Sequence, residues 1–173
     1  MNEHHFGHKS MSTIRRVVAP TVTESAPGLW SNCLVVGSVA YISGLTARGK
    51  NFEVIRNTDE YEQTRIIFEK IKALVEAAGG RMADVVKLTI FVTNIAEREK
   101  VWAARREFFT GDFPCASLVQ VAALASPELL VEIEAVAIWA LEDEVTARRG
   151  SNVSSSALES EPVRLKPPDR SMP

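Results

Sequence analysis

The sequence predicts an α+β fold, a mixed β-sheet with two helices on one face, and three observations predict it. The apolar period changes along the chain in the order β-β-β-α-β-α-β-β. A stretch beginning near Asn57 repeats its apolar residues at the spacing of one helix face. One segment, "DVVKLTIFVTN" at 84–94, is β-branched and apolar on both faces, as in a central strand covered on each side. With 173 residues, 46% apolar and 7% aromatic, the chain suits one ordinary domain with its own core.

The elements follow in order. "TIRRVV" at 13–18 and "CLVVGSVAYIS" at 33–43 read as short strands, the second stretch folding into a hairpin at Gly37 and Ser38. Asn57, Thr58 and Asp59 offer helix caps, and Glu62 stands three positions after Asp59 as a capping box requires. Ile67, Phe68, Ile71, Leu74, Val75 and Ala78 then line one face of a helix of about twenty residues, which Gly79 and Gly80 end. After the strand at 84–94, "IAEREKVWAARREFF" at 95–109 returns to helical spacing, with Ile95, Val101, Trp102, Arg105, Phe108 and Phe109 on its inner face or at its ends. "FPCASLVQVAAL" at 113–124 carries no charge and reads as a buried strand over 115–123, and "LLVEIEAVAIWA" at 129–140 as the last strand. Two helices cover one side of such a sheet. The other side is expected to bury its apolar residues against further copies of the chain.

The ends differ from this domain, placed at 13–141. Residues 1–12 are polar and read as a disordered extension. Residues 142–173, rich in Ser, Pro and charge, read as a disordered tail that buries too little apolar surface to offset its ordering entropy. His4, His5 and His8 are metal-ligand types, but on a flexible terminus with no Cys or carboxylate beside them they read as adventitious. Cys33 and Cys115 sit in apolar stretches and read as buried thiols. A net charge of -2 gives no field to gather nucleic acid. No apolar run approaches the roughly 20 residues of a membrane span, so the protein is expected to be soluble and cytoplasmic, with neither nucleic acid nor membrane as partner.

Several segments together carry a family resemblance: "TDEYEQTRIIFEKIKALVEAAGGRMADVVKLTIFVTN", "REFF", "FPCASLVQVAAL" and "VEIEAVAIW". "Q-T" ahead of the helix, "A-G-G" closing it, "D-V-V-K" opening a strand, "F-F…F-P" and "V-E-I-E-A-V-A" fall in one order and spacing. Over roughly residues 13–140 the chain resembles the RidA (YjgF) family of reactive enamine and imine deaminases. That resemblance implies a chorismate-mutase-like fold assembled as a homotrimeric barrel, with clefts between subunits for a small-molecule ligand and no cofactor.

The resemblance also assigns residues. Hydrolysis of an imine needs an acceptor to orient the attacking water, and the family's glutamate for this task matches Glu132. Glu132 and Glu134 alternate with Val131, Ile133 and Ala135 and share a face with Val136 and Ile138, a half-apolar setting that raises a carboxyl pKa; the plainer alternative is a pair of edge carboxylates in ion pairs. The family's "F-P-x-R-S" arginine, which grips the substrate carboxylate, is replaced here by Ala116 in "F-P-C-A-S", beside Ser117. Trp30 stands where the family has a tyrosine and Trp102 where it has an asparagine, unless both are ordinary core or interface tryptophans. "Y-I-S-G-L-T" keeps the family's Ser43 and Gly44, although Gly44 also suits a strand end. Arg48, Arg105 and Arg106 are candidate substitute cations, weighed against plain solvated arginines. The expected ligand is larger, flatter and conjugated, such as an aminomuconate-type imine. Three function classes follow: an imine or enamine deaminase related to 2-iminobutanoate/2-iminopropanoate deaminases, a non-catalytic metabolite-binding trimer, and the protein-protective or translation-related role, ribonuclease included, that the resemblance also implies and whose RNA-binding form the acidic balance opposes.

Overall fold

The computed structural model describes residues 13–140. The readings of 1–12, with His4, His5 and His8, and of Leu141 and the tail at 142–173 lie outside the described residues. Strands β1 (Ile14–Val17), β2 (Cys33–Val36) and β3 (Val39–Thr46) come first, followed by helix α1 (Glu60–Ala78), strand β4 (Val85–Val92), helix α2 (Arg98–Phe108), and strands β5 (Cys115–Gln120) and β6 (Val131–Ile138). They form one six-stranded sheet in the order β1-β2-β3-β6-β4-β5. The neighbours are antiparallel except β4 and β5, which run parallel because α2 crosses between them. The predicted mixed α+β sheet is therefore present, element for element.

Helix α1 starts where its caps dictate. The Asp59 carboxylate accepts the Glu62 backbone N–H at 3.0 Å, and the Glu62 carboxylate accepts that of Asp59 at 3.1 Å, so two otherwise orphaned donors are satisfied. Gly79, at φ 106°, closes the helix in the left-handed region. Between the caps, Ile67, Phe68, Ile71, Leu74 and Val75 are fully buried against Ile42, Leu88, Ile90 and Ile133 of the sheet. Each such side chain contributes about 1.5–3 kcal/mol of burial free energy. Helix α2 begins later than its apolar spacing suggests, because a 3-10 turn at Ile95–Glu97 precedes it and leaves Ile95 exposed.

Four expectations are corrected. Gln63 and Thr64, the "Q-T" pair, lie inside α1 rather than ahead of it. Strand β4 is buried on one face only within a chain, since both helices lie on that face and Lys87, Thr89 and Phe91 of the other stay partly open. Strand β5 is an exposed edge, not a buried strand, and ends at Gln120: β4 is its sole neighbour in the sheet, and α1 packs chiefly over β3 and β6 while α2 packs on α1. Cys115 opens that edge and is exposed, whereas Cys33 in β2 is buried, and its burial pushes the thiol pKa to about 11.

The sheet face away from the helices is open and carries several large apolar side chains. Tyr41 is 54%, Ile138 48% and Val119 44% exposed, and strand register sets Tyr41 beside Val136 and Phe91 beside Val119. Glu132 and Glu134 stand on this same face, opposite Phe91 and Thr89.

Candidate functional site

A cavity beside a carboxyl of raised pKa lies where β3 breaks step with β6. Register shifts between Ile42 and Leu45, so Ser43 and Gly44 form a bulge. Glu132 of β6 points into the space this opens. A Cβ on Gly44 would stand 2.0 Å from Glu132 Oε1 and 2.8 Å from its Cδ, so only glycine leaves the carboxyl its place. Gly44 is thus mid-strand, and its role is close approach rather than strand termination.

Around this carboxyl a cavity of about 420 Å³ is lined by Trp30, Phe52, Ser43, Gly44, Arg48, Lys70 and Asn32, among others. Trp30 and Phe52 meet edge-to-face with centroids 6.5 Å apart. Trp30 is half exposed, not a core tryptophan, and its Nε1 donates to Asn32 Oδ1 at 3.1 Å. Asn32 is buried and donates in turn to the Thr23 carbonyl and to Glu24 Oε1, both at 2.9 Å. The aromatic wall therefore has a fixed backing. Burial raises the Glu132 pKa above its ordinary value, and the like charge of Glu134 adds to the shift. Among the described residues neither glutamate forms an ion pair.

Sequence reasoning missed Lys70. Its ammonium donates to the Thr46 carbonyl at 2.9 Å and the Arg48 carbonyl at 2.6 Å, pinning the end of β3 that pairs with Glu132. Burial, and then the Arg48 charge, lower its pKa. The available signal was a lysine three residues after Ile67 and four before Leu74, on the buried edge of the α1 stripe. Asn32 and Gln63 were also missed. Gln63 Nε2 donates to the Glu128 carbonyl at 2.8 Å, and its Oε1 accepts the Leu130 N–H at 2.9 Å, which fixes the approach to β6 two residues before Glu132.

The other predicted site residues lie elsewhere in the chain. Ala116 and Ser117 are on the exposed β5 edge, where Lys87 Nζ donates to Ser117 Oγ at 3.1 Å. Trp102, Arg105 and Arg106 of α2 line a second cavity, with Phe113. The two cavities share no lining residue. Of the three candidate cations, only Arg48 is beside Glu132, with Nη1 donating to the Phe52 carbonyl at 2.7 Å.

The first cavity sets a carboxyl of raised pKa beside two aromatic walls and one flanking guanidinium. The sequence and fold have close counterparts. A family model described as endoribonuclease L-PSP matches residues 22–139. A 2-iminobutanoate/2-iminopropanoate deaminase of Dermatophagoides farinae is 32% identical over 127 residues, covering 72% of this chain and 96% of the relative. Among solved structures, a protein of unknown function from Pseudomonas aeruginosa is 38% identical with a TM-score of 0.67, covering 74% of this chain and 94% of its own. RidA from an Antarctic Psychrobacter is 30% identical with a TM-score of 0.65, covering 72% of this chain and 99% of its own.

Proposed function

The chain belongs to the RidA (YjgF) family, and from that premise we propose that it hydrolyses a reactive imine or enamine tautomer at Glu132, releasing ammonia. One observation carries this reading: an unpaired carboxyl of raised pKa, lodged against the Gly44 backbone at the head of an aromatic-walled cavity. The Glu132 carboxylate accepts a hydrogen bond from water and takes its proton as the oxygen attacks the C=N carbon. The imine nitrogen takes a proton from solvent, so attack gives the neutral carbinolamine with the water proton held on Glu132. Glu132 then passes that proton to the amine, the C–N bond breaks with its electron pair leaving on ammonia, and the hydroxyl proton returns to solvent as the carbonyl forms. A carboxyl pKa lifted toward the working pH serves both transfers.

Ala116 in the arginine position, with Trp30 and Phe52 beside Glu132, selects against small imino acids and for a flatter, conjugated substrate. A lost charged contact to a carboxylate costs about 1.5–3 kcal/mol, or about one to two decades of affinity. The open apolar sheet face supports a homotrimer in which copies cover one another, with the ligand clefts between them. Ammonia release from a panel running from 2-iminopropionate to aminomuconate-like imines generated in situ tests the reading. The expected outcome is turnover of a conjugated member that falls at least a hundredfold in Glu132→Gln. Saturable binding of that member with no ammonia from the wild type would establish the non-catalytic binding trimer instead.

A further inference from the structure

The second cavity, at the C-terminal end of α2, holds charge that no described residue neutralises. About 460 Å³ in volume, it is lined by Trp102, Arg105, Arg106 and Phe113. Two guanidinium groups and two aromatic rings make up that lining, with no carboxylate. Among the described residues neither Arg105 nor Arg106 has an ion-pair partner.

Arg105 is held in place all the same. Its Nη2 donates to the Pro114 carbonyl at 2.8 Å, and its guanidinium carbon sits 5.1 Å from the Phe113 ring centroid. Its Nε is buried with no hydrogen-bond partner, and burial lowers the guanidinium pKa. A fixed, partly desolvated, unpaired arginine two residues from Ala116 by its Pro114 tether is a ready anion grip, because the guanidinium fork matches a carboxylate. Trp102, with Arg98 5.7 Å from its ring centroid, and Phe113 supply flat walls for the body such a carboxylate is attached to.

We propose that this cleft binds the carboxylate end of a planar conjugated ligand, with Arg105 taking over the grip that Ala116 has lost. Ala116 pairs with Leu88, on the helix-covered face, whereas Glu132 pairs with Phe91 on the other face. One ligand reaching both Arg105 and Glu132 therefore takes them from neighbouring copies. The proposal rests on the deaminase reading only for what happens at the ligand's other end.

Benzoate, and its neutral isostere benzamide, probe the grip without turnover. Calorimetric titration of the full chain is expected to show saturable benzoate binding, with benzamide at least tenfold weaker. Arg105→Gln is expected to weaken benzoate about ten- to hundredfold. Arg105→Lys, which keeps the charge and loses the fork, falls between, and identical thermal unfolding of the variants separates lost binding from lost fold. Should Arg105→Gln not fold, the weakening in Arg105→Lys alone decides. Benzoate affinity unchanged in both variants, absent from the wild type, or abolished by Arg48→Gln instead overturns the proposal. Because affinity is read apart from ammonia release, Arg105-dependent binding without turnover removes the deaminase and leaves this site standing. Turnover without Arg105-dependent binding does the reverse.

Discussion

The raised pKa of Glu132 has two causes of different kinds, and each gives a separate prediction. Burial is the larger cause of its raised pKa and the Glu134 charge the smaller. A carboxylate base works only when deprotonated, so activity falls as pH drops through the folded pKa, above the ordinary glutamate value of about 4.3. Removing the Glu134 charge in Glu134→Gln moves the acidic limb of kcat/KM to lower pH but not to that ordinary value, because burial remains. A pH–rate profile of the two proteins checks the order. The sign for stability is the opposite of a salt-bridged acid: with the folded pKa raised, stability declines as pH rises through the window between unfolded and folded pKa. Glu132→Gln is therefore expected to unfold no lower than the wild type at pH 7, so its lost activity reads as chemistry. Strand alternation made the face of Glu132 readable from sequence, because the period of two runs unbroken along β6 from Val131 to Ile138. The roles of Lys70 and Asn32 were harder to read, since Lys70 reaches the Thr46 and Arg48 carbonyls, distant in sequence, and Asn32 joins Thr23, Glu24 and Trp30 only once the chain is folded.

At the level of elements, what was legible is what is local. The capping box of Asp59 and Glu62, the α1 stripe and the Gly79 stop each depend on residues within a few positions, and each appears as expected. The exposure of β5 was not legible: its uncharged sequence fits a covered strand, and only strand order shows that β4 is its single neighbour. Gln63 links the two levels by clamping Glu128 and Leu130 from inside α1. Gln63→Ala leaves the Leu130 N–H and the Glu128 carbonyl without those partners, at a cost of about 1–3 kcal/mol. It also loosens the start of the strand that carries Glu132. Denaturant unfolding is expected to show that loss, and steady-state kinetics a larger fall in kcat than rise in KM; a stability loss with unchanged kcat would confine Gln63 to the fold.

On the scale of the whole molecule, a single chain presents an incomplete machine. The proposed acid–base group opens on one side of the sheet, the unpaired arginine cleft on the other, and an apolar face with Tyr41, Val119 and Ile138 lies uncovered between strands that need a lid. In the proposed trimer each copy would cover another, and the Glu132 cavity of one would join the Arg105 cleft of the next. The sequence pattern pointed to apolar residues on the face away from the helices; it could not show that Arg105 is the tethered arginine, because that depends on the Pro114 carbonyl and the Phe113 ring. The most direct measurement is ammonia release by mixed assemblies of Glu132→Gln and Arg105→Gln chains, carrying different tags and purified as hybrids. Activity well above that of either parent assembly is predicted, since a Glu132 from one variant then meets an Arg105 from the other. Hybrids no more active than the mean of their parents would contradict a cleft shared between copies.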